Sequence, residues 1–190
     1  MCPSDRKQEV IDVCLETFMT NGLAHTSTKD LCDALGLNSG GVFWYFKSKD
    51  DIVIACAEEA KKRIEIDLIG SALKNIENPA LLEQDLYARA TDMRELMQFF
   101  VTVCALPKYR DRIEPILTDL SVRYKHYNEK FAEKLHCKPE DVAPYVYIVI
   151  NTLLSYMLFG YEKGFYAPQI PLVKKALVDF LAKRDSDGKL

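Results

Sequence analysis

The stretch Ser27–Asp51 constrains this chain more than any other. Ser27 predicts the cap of a helix, and Asp30, three residues on, completes a capping box. Leu31, Ala34 and Leu35 then fall on one face. Gly36 stands where that helix must stop and reverse, and glycine tolerates the left-handed backbone such a stop needs. Asn38 predicts the cap of a second helix, whose Val42 and Phe46 point back at the first. Cys32, four residues before Gly36, is small enough to let two crossing helices approach, and Val42 follows Gly36 by six. This is the pattern of a helix-turn-helix, a device that lays its second helix in the major groove of DNA.

The rest of the chain reads as helix. Val10, Ile11, Cys14, Leu15 and Phe18 repeat at helical spacing over residues 5–21, and Gly22 ends the run. Ser48 with Asp51 predicts the cap of a long helix over 49–76, whose apolar positions change face along its length. Helical patterns follow at 80–89, 91–106, 109–136, 139–164 and 171–184, punctuated by Pro79, Pro107, Pro139, Gly164, Pro168 and Pro171. Pro115 is expected to kink or delay the helix in which it lies. No alternating strand pattern stands out. The expectation is an all-α protein of about nine helices. Its N-terminal three-helix helix-turn-helix domain covers 1–47 and its C-terminal helical domain 48–190.

Residues 142–161 are nearly long enough to span a membrane. Pro144, Asn151, Thr152, Ser155 and four tyrosines argue instead for a helix buried on all sides, one face on its own core and one on a partner subunit. Together with the stripe Leu172, Val173, Ala176, Leu177, Phe180 and Leu181, it predicts an intermolecular four-helix bundle. No membrane partner is expected. The six cysteines form no C-x-x-C pair and read as free thiols in a reducing cytoplasm. His25, His126 and His136 are scattered, with no metal-binding spacing, and no nucleophile motif or P-loop appears. An enzyme, a metal site and a cofactor are therefore not expected.

Residues 5–57 resemble the tetracycline repressor (TetR) family of transcriptional regulators. The resemblance lies in the first helix ending in Phe18 and Gly22, then Thr26-Ser27-Thr28, Asp30-Leu31, Ala34, Gly36-Leu37, Gly40, Tyr45-Phe46, Ser48-Lys49 and Asp51-Ile52. Beyond them only length and helical character match. The resemblance implies a homodimer that binds a palindromic operator as a repressor and leaves it when a small ligand enters the C-terminal domain. That domain would then serve both ligand binding and dimerisation, the latter through the helices at 139–164 and 171–184.

The DNA-facing set is expected to be Ser27, Thr28, Asn38, Ser39, Gly40, Gly41, Phe43, Trp44, Tyr45 and Lys49. Lys49 and Tyr45 flank the second helix and suit phosphates. Trp44 either meets sugar or a thymine methyl, or covers its own domain's core. Where the family commonly has a Ser-Lys-Gly-Thr-like opening, this chain has Asn38-Ser39-Gly40-Gly41, so the lysine and threonine are both absent. The first 51 residues carry five cations against eight acids, a poor balance for neutralising phosphates. Weak, salt-sensitive DNA binding or a narrow set of sequences is expected. A ligand- or protein-binding module without operator recognition is the alternative.

For the ligand the sequence offers a bias of large side chains. Met97, Phe100, Cys104, Tyr124, Tyr127, Phe131, Tyr147, Asn151 and Leu154 form the candidate set, suited to a lipophilic or aromatic effector. For any single one of the large side chains, ordinary core is the stronger reading. Asn151, a polar amide in so apolar a helix, needs a hydrogen-bond partner if buried, whether ligand, water or twin subunit.

Overall fold

A computed structural model describes residues 3–159 and 169–187. Cys2, the 160–164 end of the predicted 139–164 helix and the side chain of Leu154 lie outside the described residues.

The described residues are helical throughout and contain no strand. The first helix, α1, runs Pro3–Asn21. It is followed by α2 (Thr28–Leu35), α3 (Ser39–Phe43) and α4 (Lys49–Asn75). Next come α5 (Pro79–Asp92), α6 (Arg94–Ala105) and a 3₁₀ turn at Pro107–Tyr109. The chain continues through α7 (Arg110–Leu135), α8 (Pro139–Phe159) and α9 (Gln169–Asp187). Helix α5, the 3₁₀ turn and α8 each begin on a proline, where the missing N–H would have had no helical partner in any case.

Pro115 does not delay α7, which starts at Arg110 and continues through it. A proline past the first turn costs about 3 kcal/mol. Ile113 and Ile116 are both buried beside it. Burying one such side chain contributes about 1.5–3 kcal/mol, so the two together offset the lost bond.

The chain divides into two compact units, Met1–Arg63 with Glu95–Leu117 and Ile64–Arg94 with Thr118–Leu190. In the first, Val10, Cys14, Leu15 and Phe18 of α1 are buried with Leu31, Val42, Phe46, Ile52 and Cys56. The Phe18 ring stacks on Phe99 of α6, with centroids 5.8 Å apart. In the second, α5, α8 and α9 pack on one another. Phe131, Leu135, Val142, Val146, Leu177 and Phe180 are buried there, and the Tyr145 and Phe180 rings lie 4.5 Å apart. Lys134 Nζ donates to the Leu73 carbonyl at 2.5 Å, tying α7 to the end of α4.

The buried face of α4 does shift. Ile52, Val53, Cys56, Ala57 and Ala60 line its first half, and Ile64, Leu68, Ile69 and Ala72 its second. Cys14, Cys32, Cys56, Cys104 and Cys137 are free thiols. Among the described residues no helix is long and apolar enough to cross a membrane.

Candidate nucleic-acid interface

The turn between α1 and α2 is built by local bonds. Gly22 takes φ +82° and its N–H caps α1 on the Phe18 carbonyl at 3.0 Å. Thr26 is buried, and its hydroxyl donates to the Gly22 carbonyl at 2.9 Å. Ser27 then opens α2 with a complete capping box. Asp30 N donates to Ser27 Oγ at 3.2 Å, and Ser27 N donates to Asp30 Oδ2 at 2.6 Å. The Ser27 bonds hold the Asp30 carboxyl below its ordinary range.

Helix α2 ends at Gly36 in the left-handed region, φ +61°. The Leu37 N–H returns to the Cys32 carbonyl at 3.0 Å, which reverses the chain in two residues. Asn38 caps α3, accepting from Gly41 N at 2.9 Å. Helix α3 holds five residues and buries only Val42. Ser39 and Gly40 face solvent. At its end Phe43 is 39% exposed and Trp44 72% exposed. Trp44 therefore does not cover the core of its own domain. Its ring meets Tyr45 edge-on, with centroids 4.7 Å apart.

Lys49, at the start of α4, is half-buried, and its ammonium donates to the Thr26 carbonyl. That ammonium also lies 6.0 Å from the centre of the Phe18 ring. One of its donors is thus used within the chain, beside the opening of α2.

The acid excess of the first 51 residues is largely answered by side chains from elsewhere in the same unit. Asp50 Oδ1 accepts from Tyr109 Oη at 2.6 Å and from Lys108 Nζ at 3.0 Å. Asp51 Oδ1 accepts from Arg112 at 2.8 Å, and Asp12 from Arg63 at 2.6 Å. Arg6 pairs with Glu9 at 2.6 Å within α1. Tyr109 and Lys108 hold the Asp50 carboxyl below its ordinary range, and Ser48 and Arg112 do the same for Asp51. A count of charges along the N-terminal sequence misses this. The partners of Asp50 and Asp51 stand 58 to 61 residues away and that of Asp12 stands 51 away, and nothing local announces them.

The candidate effector residues are divided. Met97 and Phe100 are buried and Cys104 is half-buried, all on α6 in the first unit. Tyr124, Tyr127 and Phe131 lie on α7 in the second unit, where the Tyr124 and Tyr147 rings stack at 6.1 Å. Asn151 does not meet the condition of burial in the single chain. It is exposed in the single chain, and its amide donates to the Tyr147 carbonyl one turn back at 2.9 Å. A residue the sequence reading passed over joins this unit: Glu65 of α4 is buried, 3.7 Å from Arg123. Burial and then the Glu65 charge push the Tyr124 hydroxyl up to about 12. The available signal was position, since Glu65 occupies a buried register of α4 between Ile64 and Leu68. Asn128 on α7 is also buried, and its Oδ1 accepts no hydrogen bond among the described residues. A separate open groove of 460 Å³ along α1 is lined by Asp12, Glu16, Thr17, Thr20 and Ala34, and its acids and openness do not suit a lipophilic guest.

The family model for bacterial regulatory proteins of the tetR family matches residues 10–56, the span from α1 through α3 into α4. That segment of the chain is similar to the TetR-family helix-turn-helix. Relatives carry regulator names. The chain is 25% identical over 131 residues to the HTH-type transcriptional repressor KstR2 of Rhodococcus jostii, covering 68% of this chain and 61% of that one. It spans 35% and 30% of the lengths of two further HTH-type transcriptional regulators. The fold extends further than the sequence likeness. A TetR-family structure from Mesorhizobium loti superposes with a TM-score of 0.69 at 15% identity, covering 96% of this chain and 98% of that one. The multidrug binding protein EbrR, in complex with malachite green, superposes with a TM-score of 0.61 at 15% identity over 92% of this chain and 97% of that one. The family model thus covers the helix-turn-helix segment, and the sequence likeness to regulators reaches beyond it at lower identity.

Proposed function

We propose that this TetR-family chain is a ligand-responsive transcriptional repressor that binds a palindromic operator as a homodimer. The observation that carries the reading is the capped helix-turn-helix with the front of α3 open to solvent. Residues 1–47 would bind DNA, and 48–190 would bind effector and dimerise. Ser27 and Thr28 at the α2 N-terminus offer backbone N–H groups and a positive dipole end to phosphate. Asn38, Ser39, Gly40 and Gly41 would bring backbone close to the groove, and Tyr45 and Lys49 would flank it. The internal pairing of Asp12, Asp50 and Asp51 supports this reading over a module without operator recognition, because it removes much of the charge that would repel DNA.

The dimer would form through α8 and α9. Both present large apolar side chains to solvent in the single chain, Tyr147 and Ile148 on one and Leu172 and Val178 on the other. The effector would be a small lipophilic or aromatic compound, held in the C-terminal unit and recognised by Tyr124, Tyr127 and Phe131 among others. The malachite green complex of EbrR, on a similar fold, supports that class. Effector binding would bias the dimer towards a spacing of α3 helices that no longer fits successive major grooves. The setting would be the cytoplasm. The test is retardation of upstream genomic fragments, followed by release with a panel of aromatic compounds. A complex that no compound dissociates would remove the effector part of the reading and leave DNA binding standing.

A further inference from the structure

The front of α3 carries almost no hydrogen-bonding side chain. Ser39 is the one polar group, Gly40 and Gly41 carry none, and Val42 is buried. Neither glycine is required by the chain itself. Both have negative φ, and a Cβ added at Gly40 or Gly41 would sit 3.4 Å or more from its nearest neighbour, an ordinary contact. Their effect is to bare the helix in front of its two exposed rings. Gly40 lies one turn before Trp44 and Ser39 one turn before Phe43, so the face leading up to each ring is low. Among the described residues Trp44 is the most exposed of the large apolar side chains, at 72%, and its ring meets Tyr45 edge-on.

In the major groove, guanine, cytosine and adenine present only hydrogen-bonding edges. Thymine alone adds an apolar group, its C5 methyl. A recognition helix with two exposed rings and one hydroxyl is matched to that group and poorly matched to the others. We propose that Trp44 and Phe43 read thymine methyl groups, so that the operator half-site is specified by where thymines stand. The inference rests on the DNA-binding reading above and adds to it the chemistry of recognition.

The experiment uses the full chain. An operator is selected from a random duplex pool, then rebuilt with deoxyuridine at each thymine in turn and at all thymines together. Deoxyuridine keeps every hydrogen bond and lacks only the methyl. The expected result is at least one thymine per half-site whose replacement weakens binding by about fourfold, the value of one buried methyl-sized group. Replacements outside the half-sites leave affinity unchanged. Trp44→Ala should lose the preference for thymine over deoxyuridine at the position that Trp44 reads and keep it at the position read by Phe43. Because Trp44 is exposed, that variant should also keep the wild-type melting temperature; should it fail to fold, the deoxyuridine series on the wild-type chain still decides. A selected operator bound equally well with every thymine replaced overturns this inference and leaves the repressor reading intact. Failure to select any duplex overturns both.

Discussion

The hydroxyl of Tyr109, a side chain only 2% exposed, donates to Asp50 Oδ1 at 2.6 Å. The bond fastens the 3₁₀ turn after α6 to the first turn of α4, directly behind the helix-turn-helix. Lys108 reaches the same oxygen while lying over the Tyr109 ring, 4.3 Å from its centre. Tyr109→Phe keeps the packing and removes the bond. A hydrogen bond to a charged group contributes about 1.5–3 kcal/mol, and the half-exposed Asp50 with its second partner reduces that to about 1 kcal/mol. The predicted fall in melting temperature is about 3 °C. An unchanged thermal scan would mean that this contact does not support the fold.

The acids at the start of α4 predict a pH dependence. Asp50 is held below its ordinary range by Tyr109 and Lys108, and Asp51 by Ser48 and Arg112. A group depressed in the folded state stabilises above its unfolded value, near ~3.9 for aspartate, and that stability is lost as pH falls through the folded value. These two residues therefore contribute no change between about pH 7 and 5, and a loss that grows below about pH 4. Urea midpoints measured across that range should fall less steeply at the acid end in the Asp50→Asn, Asp51→Asn double variant. Parallel curves for the two proteins would contradict the assignment.

Two helix ends share one geometry and have opposite chemistry. After α2, Gly36 N bonds the Asp33 carbonyl and Leu37 N the Cys32 carbonyl; after α7, His136 N bonds Glu133 and Cys137 N bonds Ala132, at the same 3.2 and 3.0 Å. Gly36 sits at φ +61° and His136 at φ +52°. A side chain in that region costs about 1 kcal/mol or more. Gly36→Ala should therefore destabilise by about 1 kcal/mol through strain alone, since nothing lies within 4 Å of the added Cβ. His136→Gly should stabilise by about 0.5 kcal/mol, part of the relief being offset by a looser unfolded chain. Denaturant midpoints of the two variants should move in opposite directions. Movement in the same direction would refute the strain argument.

The local devices were legible in the sequence because each acts within a few residues. The capping box of Ser27 and Asp30, the stop at Gly36 and the cap at Asn38 all form as the residue types predict. Proline at a helix start marked α5 and α8 for the same reason. What the sequence hid is long-range. The acids of the N-terminal stretch looked like a liability for DNA until Lys108, Tyr109 and Arg112 came to them from the far side of α6. Asn151 looked buried because its neighbours are apolar, and the solvent-facing side of α8 in the single chain has no signature in a run so uniformly apolar. The candidate site was legible at Ser27, Gly36 and Asn38, whereas the exposure of Trp44 depended on which face the short α3 turned outward.

Buried thiols give a check on the first unit. Burial raises the Cys14 thiol to about 12, and burial raises that of Cys56 as well. The thiolate is the reactive form, so neither should react with a disulfide reagent in the native protein near pH 8. Mass spectrometry after timed labelling should find both modified only at the rate of unfolding. Modification of Cys14 within seconds in native buffer would show that the core of α1 opens far more readily than its burial implies.

The central claim is that the helix-turn-helix of this chain binds DNA. A mobility-shift titration of the folded full chain against the upstream regions of its own genome, at two salt concentrations, tests it most directly. The account predicts a discrete retarded complex that weakens steeply as salt rises, because phosphate contacts release counterions. Absence of any retarded species at either salt, from protein that circular dichroism shows to be folded, would contradict it and leave the chain a binding module on a regulator's scaffold.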